Sequence, residues 1–241
     1  MTAAVWHDVE CGRYAADLPL WRGLADQAGG PLLDVGAGTG RVAIDLAARG
    51  HRVTALDRDG ELLAELRRRA GDLPVEVVEA DARDFHLGRR FALIVVPMQT
   101  IQILGGPNGR EGFLRSALEH LEPGALLVAT VAVALEGFDA AEHTELPVPD
   151  VAEHGGWLYA SQPVGVRPED GVTVVERVRQ TVSPDGERTE EHNEIRLDTL
   201  DADGLADEAR AMGFDPLPSR EIEPTHEHVG STVVVLRARP G

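Results

Sequence analysis

The chain has 241 residues, 43% of them hydrophobic, and a formal net charge of -18, and all 23 of its basic residues are arginine. That length can bury a full core in one large domain with a small appendage. The absence of lysine excludes Schiff-base and phosphate-loop lysine chemistry, the acidity opposes binding to nucleic acid or anionic membrane, and Cys11 alone can form neither an internal disulfide nor a cysteine zinc site.

No run approaches the roughly 20 apolar residues that span a bilayer. Met1 to Glu10 carries no basic region followed by an apolar core, so no export signal is expected and a cytoplasmic location is the default.

Residues 1–30 hold mixed helical signals (Trp6, Tyr14, Leu18, Trp21, Leu24) and read as a helical lead-in. Residues 31–135 then alternate strand-like with helix-like runs. Strands are expected near 32–35, 52–56, 74–79, 91–96 and 125–131, and helices near 40–49, 60–70 and 108–121. This alternation predicts a parallel sheet wrapped by helices. Phe91 to Val96 is continuously apolar, as a strand buried on both faces should be. Residues 136–156 carry Pro147, Pro149, Gly155 and Gly156 without periodicity and read as a loop or lid. Val172, Val174, Val178 and Val182 share one parity while Arg177 and Arg179 share the other, and Ser183-Pro184-Asp185-Gly186 is a turn, so 136–198 is read as a lid followed by an antiparallel β insert. In 199–241 a helix near 201–212, stopped by Gly213, precedes two strands near 214–222 and 229–238.

The decisive stretch is Leu32-Leu33-Asp34-Val35-Gly36-Ala37-Gly38-Thr39-Gly40-Arg41. An apolar strand meets an acid, then a turn with glycine at every second position, then a helix. Glycines there let a ligand approach backbone, and the helix start offers unpaired N–H groups. The spacing differs from the Gly-x-Gly-x-x-Gly of dinucleotide enzymes. It resembles the first motif of the class I S-adenosylmethionine (SAM) methyltransferases, and two further landmarks agree. Arg52-Val53-Thr54-Ala55-Leu56-Asp57 ends in an acid where that family holds the ribose hydroxyls. Val75 to Ala82 ends in Asp81-Ala82 where it holds the adenine amine. The antiparallel insert and the stretch Asp81 to Phe91 are similar to those of small-molecule N-methyltransferases acting on amino sugars.

The resemblance implies a Rossmann-like α/β fold. Its seven-stranded sheet is flanked by helices and has an antiparallel last strand, with the β insert after the fifth strand. It implies SAM as cofactor, held by Asp34, Gly36, Ala37, Gly38, Asp57, Arg58, Asp81, Ala82 and Pro97. Tyr14 is added because an N-terminal helix folds over the cofactor in related enzymes. Ligands of an open parallel sheet lie at the carboxyl ends of its strands, which singles out Pro97 to Gln102. Where many relatives that methylate planar nitrogen carry Asn/Asp-Pro-Pro-Tyr, this chain has Val95-Val96-Pro97-Met98. That departure disfavours base or amide acceptors and suits small molecules. Gln99 and Gln102 are candidates to orient the acceptor or the cofactor's amino-acid tail, or are polar residues facing water.

His226 and His228, in the last connection, read either as a polar hairpin tip or as acceptor contacts and general base. With His143 and His154 they could also close a metal site, but their spacing does not require one, and no metal is assigned. The expected function is methyl transfer from SAM to nitrogen or oxygen of a small-molecule acceptor. The alternatives are an NAD(P)-dependent oxidoreductase and a SAM-binding protein that does not methylate. Unusual SAM chemistry is left open, no nucleic-acid or membrane partner is expected, and a homodimer is allowed but not required. Lid, insert and last connection are expected to roof the acceptor.

Overall fold

The structure is a computed structural model that describes residues 2–132, 137–142, 147–225 and 229–239. Two compact units emerge: residues 1–14 with 134–199, and residues 15–133 with 200–241.

The larger unit opens with α2 (Leu18–Ala28), after α1 (Thr2–His7) of the other unit. Strands and helices then alternate: β1 (Leu32–Val35), α3 (Arg41–Ala47), β2 (Val53–Asp57), α4 (Gly60–Ala70), β3 (Val75–Glu79), β4 (Phe91–Val96), α5 (Gly106–Glu119) and β5 (Leu121–Ala132). The apolar runs become strands because helices cover both faces of the sheet, and β1 is buried at every position. Helix α4 starts where sequence signals place it, but its cap is Asp59, whose Oδ1 accepts the Glu61 and Leu62 N–H groups. Pro123-Gly124 is a turn signal that would place the start of the fifth strand after it, but β5 begins at Leu121. The dipeptide lies within β5 as an irregularity, with Phe91 opposite Leu121 and Leu93 opposite Leu126.

After the insert come α6 (Ala202–Met212), β11 (Phe214–Ile222) and β12 (Ser231–Ala238), the helix closed by left-handed Gly213. The seven strands lie in the order β11-β12-β5-β4-β1-β2-β3, and β12 runs antiparallel to both its neighbours. This is the expected Rossmann-like sheet. From β1 the chain winds outward to β2 and β3, then returns to β4 on the other side. Ligands of such sheets bind at this reversal, outside the carboxyl ends of the strands.

The smaller unit is a five-stranded antiparallel sheet: β6 (Phe138–Asp139), β7 (Asp150–His154), β8 (Trp157–Glu169), β9 (Val172–Val182) and β10 (Arg188–Asp198). Part of the segment expected to be a loop is therefore sheet. Strand β7 pairs with β8 across Gly155-Gly156. The positive φ angles of these glycines, 59° and 80°, suit a tight hairpin. Pairing there rests on backbone hydrogen bonds and turn geometry, which leave no apolar periodicity. The N-terminal segment belongs to this sheet. Glu10 takes a two-point ion pair from Arg179 at 2.8 and 2.9 Å and accepts the Ser161 hydroxyl at 2.7 Å. Trp6 stands edge-on to Tyr159 and lies under the Arg179 guanidinium.

Candidate cofactor site

The glycine turn is stitched onto the end of β2. The Gly36 and Ala37 N–H groups donate to the Leu56 carbonyl at 2.8 and 3.0 Å, and Gly38 N–H donates to Asp57 Oδ2 at 2.8 Å. Asp57 Oδ1 accepts the Asp59 N–H at 3.0 Å. Two backbone donors thus fix this carboxylate, and each oxygen keeps a second lone pair for a ligand. Gly36 has φ of 72°, and a Cβ there would lie 2.5 Å from Thr100 Cγ2. Only glycine permits this close approach between the turn and the segment leaving β4.

Asp34 lies two residues before the turn, fully buried, and no side chain bonds to either oxygen, which leaves only partial support from the Ala43 N–H. Burial pushes its carboxyl up from 3.8 to about 7. The Arg41 charge and the Ala43 amide oppose that rise only in part, and the Asp57 and Asp17 charges add to it. An unpaired buried carboxylate is costly and calls for a cationic partner.

Arg41, the first residue of α3, does not supply that partner by hydrogen bonding. Its guanidinium makes a fork to Asp17, at 2.6 and 2.7 Å. Asp17 also accepts the Trp21 indole N–H at 2.8 Å. Asp17 and Trp21 are fully buried. Sequence reading missed Asp17 and Arg41. The one signal was an acid four residues before a tryptophan, which many solvent-facing helices also show.

Beyond β3, Asp81 Oδ1 accepts the Arg83 N–H at 2.9 Å, and the Arg83 side chain pairs with the same carboxylate. Those contacts, with Arg58 contributing, hold Asp81 down to about 2, so it stays ionised. Asp81 therefore caps a turn, and its lone pairs are shared with Arg83. Exposed Arg58 lies near it, and Ala82 packs on the core.

Beyond β4, Pro97 is buried and Met98 is the one non-glycine residue with positive φ, 55°, among the described residues. Strain of this kind concentrates at functional sites. The Thr130 hydroxyl holds it by donating to the Met98 carbonyl at 2.6 Å. Buried Gln102 accepts the Ala132 N–H at 2.9 Å, which gives it a structural role in place of facing water. Gln99 precedes the short helix Thr100–Ile103 and stays half-buried.

The structure thus gathers Asp34, Gly36, Ala37, Gly38, Asp57, Arg58, Asp81, Ala82, Pro97 and Gln99 at the carboxyl ends of four adjacent strands. Tyr14 is buried and belongs to the smaller unit. His143, His226 and His228 lie outside the described residues. Among the described residues no group of three or more His, Cys, Asp or Glu is arranged to hold a metal. No helix among them is long and apolar enough to cross a membrane.

A glycine turn at the switch point of a seven-stranded mixed sheet, with an acid at or just beyond the ends of the next two strands, Asp57 and Asp81, is the arrangement of a nucleoside-cofactor domain. Residues 32–124 match the methyltransferase domain family. That segment is thus similar to a methyltransferase domain, and the acids and glycine turn described above fit S-adenosylmethionine as its cofactor.

A probable cobalt-precorrin-6B C(15)-methyltransferase (decarboxylating) of Methanothermobacter thermautotrophicus is 33% identical over 115 residues, 46% of this chain and 56% of that protein. A dTDP-3-amino-3,6-dideoxy-alpha-D-glucopyranose N,N-dimethyltransferase of Streptomyces fradiae is 33% identical over 116 residues, 48% of this chain and 45% of that protein. The chain thus spans about half the length of these relatives. The solved structure of SAM-bound CalS10, an amino pentose methyltransferase from Micromonospora echinaspora, is similar in fold. Its TM-score is 0.71 at 21% identity, covering 97% of each chain.

Proposed function

We propose that this protein methylates the amino nitrogen of a small molecule of amino-sugar type. The observation that carries the cofactor half is the buried Asp34, bonded by no side chain, beside a glycine turn pinned to Asp57. Amino-sugar dimethyltransferases among the relatives support the acceptor half.

In this reading Gly36, Ala37 and Gly38 let the cofactor approach backbone. Asp34 receives the ammonium of its amino-acid tail, Asp57 the ribose diol, and Asp81 with Ala82 the adenine edge, with Arg58 beside them. Pro97 and Gln99 flank the reacting centre, with the Met98 backbone fixed between them. Tyr14, His226 and His228 are carried as proposed contacts, the histidines as acceptor ligands or base. When bound, SAM supplies an electrophilic methyl carbon: the amine lone pair forms the C–N bond as the C–S bond breaks, and the ammonium product releases a proton. The chain's own contribution is alignment, which can supply roughly 7–11 kcal/mol of a barrier. A neutral amine needs little help from a base. We further propose a soluble cytoplasmic protein without nucleic-acid partners, consistent with its charge of -18.

The test is Asp57→Ala. Losing hydrogen bonds to a charged group costs roughly 1.5–3 kcal/mol, or about 10- to 150-fold in SAM affinity by calorimetry. Unchanged affinity in a folded variant refutes the cofactor assignment. Turnover with a panel of amines, phenols and carboxylates tests the acceptor. Preference for a phenol overturns the nitrogen reading, and no turnover at all favours a SAM-binding protein that does not methylate.

A further inference from the structure

Just beyond β3 the chain makes a tight turn, with the Asp84 N–H donating to the Asp81 carbonyl at 3.1 Å and Phe85 buried behind it. Asp81 Oδ1 accepts both the Arg83 backbone N–H and the Arg83 Nε–H, each at 2.9 Å. Oδ2 accepts the Arg83 Nη2 at 2.5 Å, with Nε at 3.1 Å. Of the roughly four acceptor positions of a carboxylate, the fork and the amide fill both on Oδ1 and one on Oδ2. The position left free is on Oδ2.

The side chains of Asp81 and Arg83 are 41% and 47% exposed, and ion pairs that exposed usually contribute little because both long side chains must be immobilised. Here α5 supplies the immobilisation. Gly112 lies inside that helix, where glycine is unfavourable, and a Cβ there would stand 2.7 Å from the Arg83 carbonyl oxygen. A Cβ on Gly109, about one turn earlier, would touch the Arg83 Cδ at 3.4 Å. The Arg83 segment therefore lies directly on the glycine-bearing face of α5, and that contact confines the side chain that forks onto Asp81.

We infer that Arg83 is a positioning residue for recognition of the cofactor's base: its fork and its amide hold the Asp81 carboxylate in one orientation and leave it one acceptor position, matched to a single N–H of an exocyclic amine. This rests on the reading of Asp81 as the acid that meets the adenine edge. Without the fork, the backbone N–H fixes one oxygen and not the plane of the group. The ligand's amine must then order the carboxylate itself, and ordering a side chain on binding costs affinity. The loss falls only on ligands that carry the amine, and only while residue 81 is a carboxylate.

Four proteins are compared by calorimetry: wild type, Arg83→Met, Asp81→Ala, and the double variant Asp81→Ala/Arg83→Met. Each is titrated with S-adenosylhomocysteine (SAH) and with its 6-deamino analogue, which carries hydrogen in place of the amine. Arg83→Met is expected to weaken SAH at least about 3-fold, part of the roughly 10-fold or more that a hydrogen bond to a charged group carries, and to leave the analogue within about 2-fold. In the Asp81→Ala background the same substitution is expected to change SAH affinity by less than about 2-fold, because the group it positions is gone. Equal weakening of both ligands by Arg83→Met means general damage to the site and overturns the inference. So does unchanged SAH affinity, or a full further loss in the double variant. Tighter SAH binding means that Arg83 competes with the amine for Asp81, and overturns it as well. Should Arg83→Met fail to fold, Arg83→Lys decides, since it keeps stem and charge and loses the fork. Weakened SAH beside an unchanged analogue then supports the inference, and SAH at wild-type affinity or both ligands weakened counts against it. Asp81→Ala is the separate check on the underlying reading. If it binds SAH as wild type does, Asp81 is not the adenine acid and that reading fails; if it weakens SAH while Arg83→Met does not, only the inference about Arg83 fails.

Discussion

Replacing Asp34 with Asn should make the protein less sensitive to pH while weakening its hold on the cofactor. Burial raises this carboxyl from 3.8 to about 7. At about 1.36 kcal/mol per pH unit that difference corresponds to about 4 kcal/mol. Between about pH 4 and 7 the folded protein keeps a proton that the unfolded chain has lost. Stability contributed by this group is therefore present below pH 4, falls as pH rises through that window, and is flat above it. Urea denaturation at pH 5 and pH 8 reads the difference in wild type and in Asp34→Asn. The variant should lack most of the decline, so the two proteins' pH differences should diverge by a few kcal/mol. A carboxamide cannot neutralise an ammonium, so SAM should bind the variant about 10- to 150-fold more weakly. Wild-type SAM affinity should itself rise with pH up to about 7, since the ammonium selects the ionised carboxyl. Identical pH slopes in the two proteins would refute the burial argument. Unaltered SAM affinity would refute the assignment of the ammonium.

Gly36→Ala places a Cβ 2.5 Å from Thr100 at a backbone angle that disfavours it. SAM affinity should fall at least tenfold, and Thr100→Ala added to it should recover part of the loss in the same titration. Met98→Gly removes left-handed strain of about 1–2 kcal/mol and should raise the urea midpoint. A midpoint that stays put or drops would contradict the strain. His120→Ala leaves the Leu87 N–H without the ring nitrogen that accepts it at 2.9 Å, and the Ser116 carbonyl without its 2.7 Å partner. A loss of roughly 1–3 kcal/mol in unfolding free energy is expected, and less than half of that would contradict the bond assignment.

The succession of elements and the cofactor turn are legible in the residues alone. Short strand-like runs between turn signals, alternating with helix-like segments, read as the strands of a parallel sheet, and β1, β2, β3 and β4 appear within a residue of their expected bounds. Glycine at 36, 38 and 40 needs no tertiary information to mark a turn, because no other residue takes those angles cheaply. The acids Asp34, Asp57 and Asp81 are found by their place at strand ends, a local feature.

What these acids do is set by the folded chain. Whether a carboxylate is paired depends on which groups the folded backbone brings to it. Asp81 gives its oxygens to Arg83, Asp57 to two backbone amides, and Asp34 to no side chain, and no spacing rule separates the three. The clamp of Arg41 by Asp17 joins residues 24 positions apart. The strained Met98 is set by Thr130 from the neighbouring strand, 32 residues on. Strand β7 leaves no mark in the sequence because its pairing with β8 is made by backbone groups common to every residue, whereas sequence patterns report side chains. Propensity and periodicity are local quantities, while burial, charge pairing and strain are properties of contacts, and contacts exist only once the chain has folded.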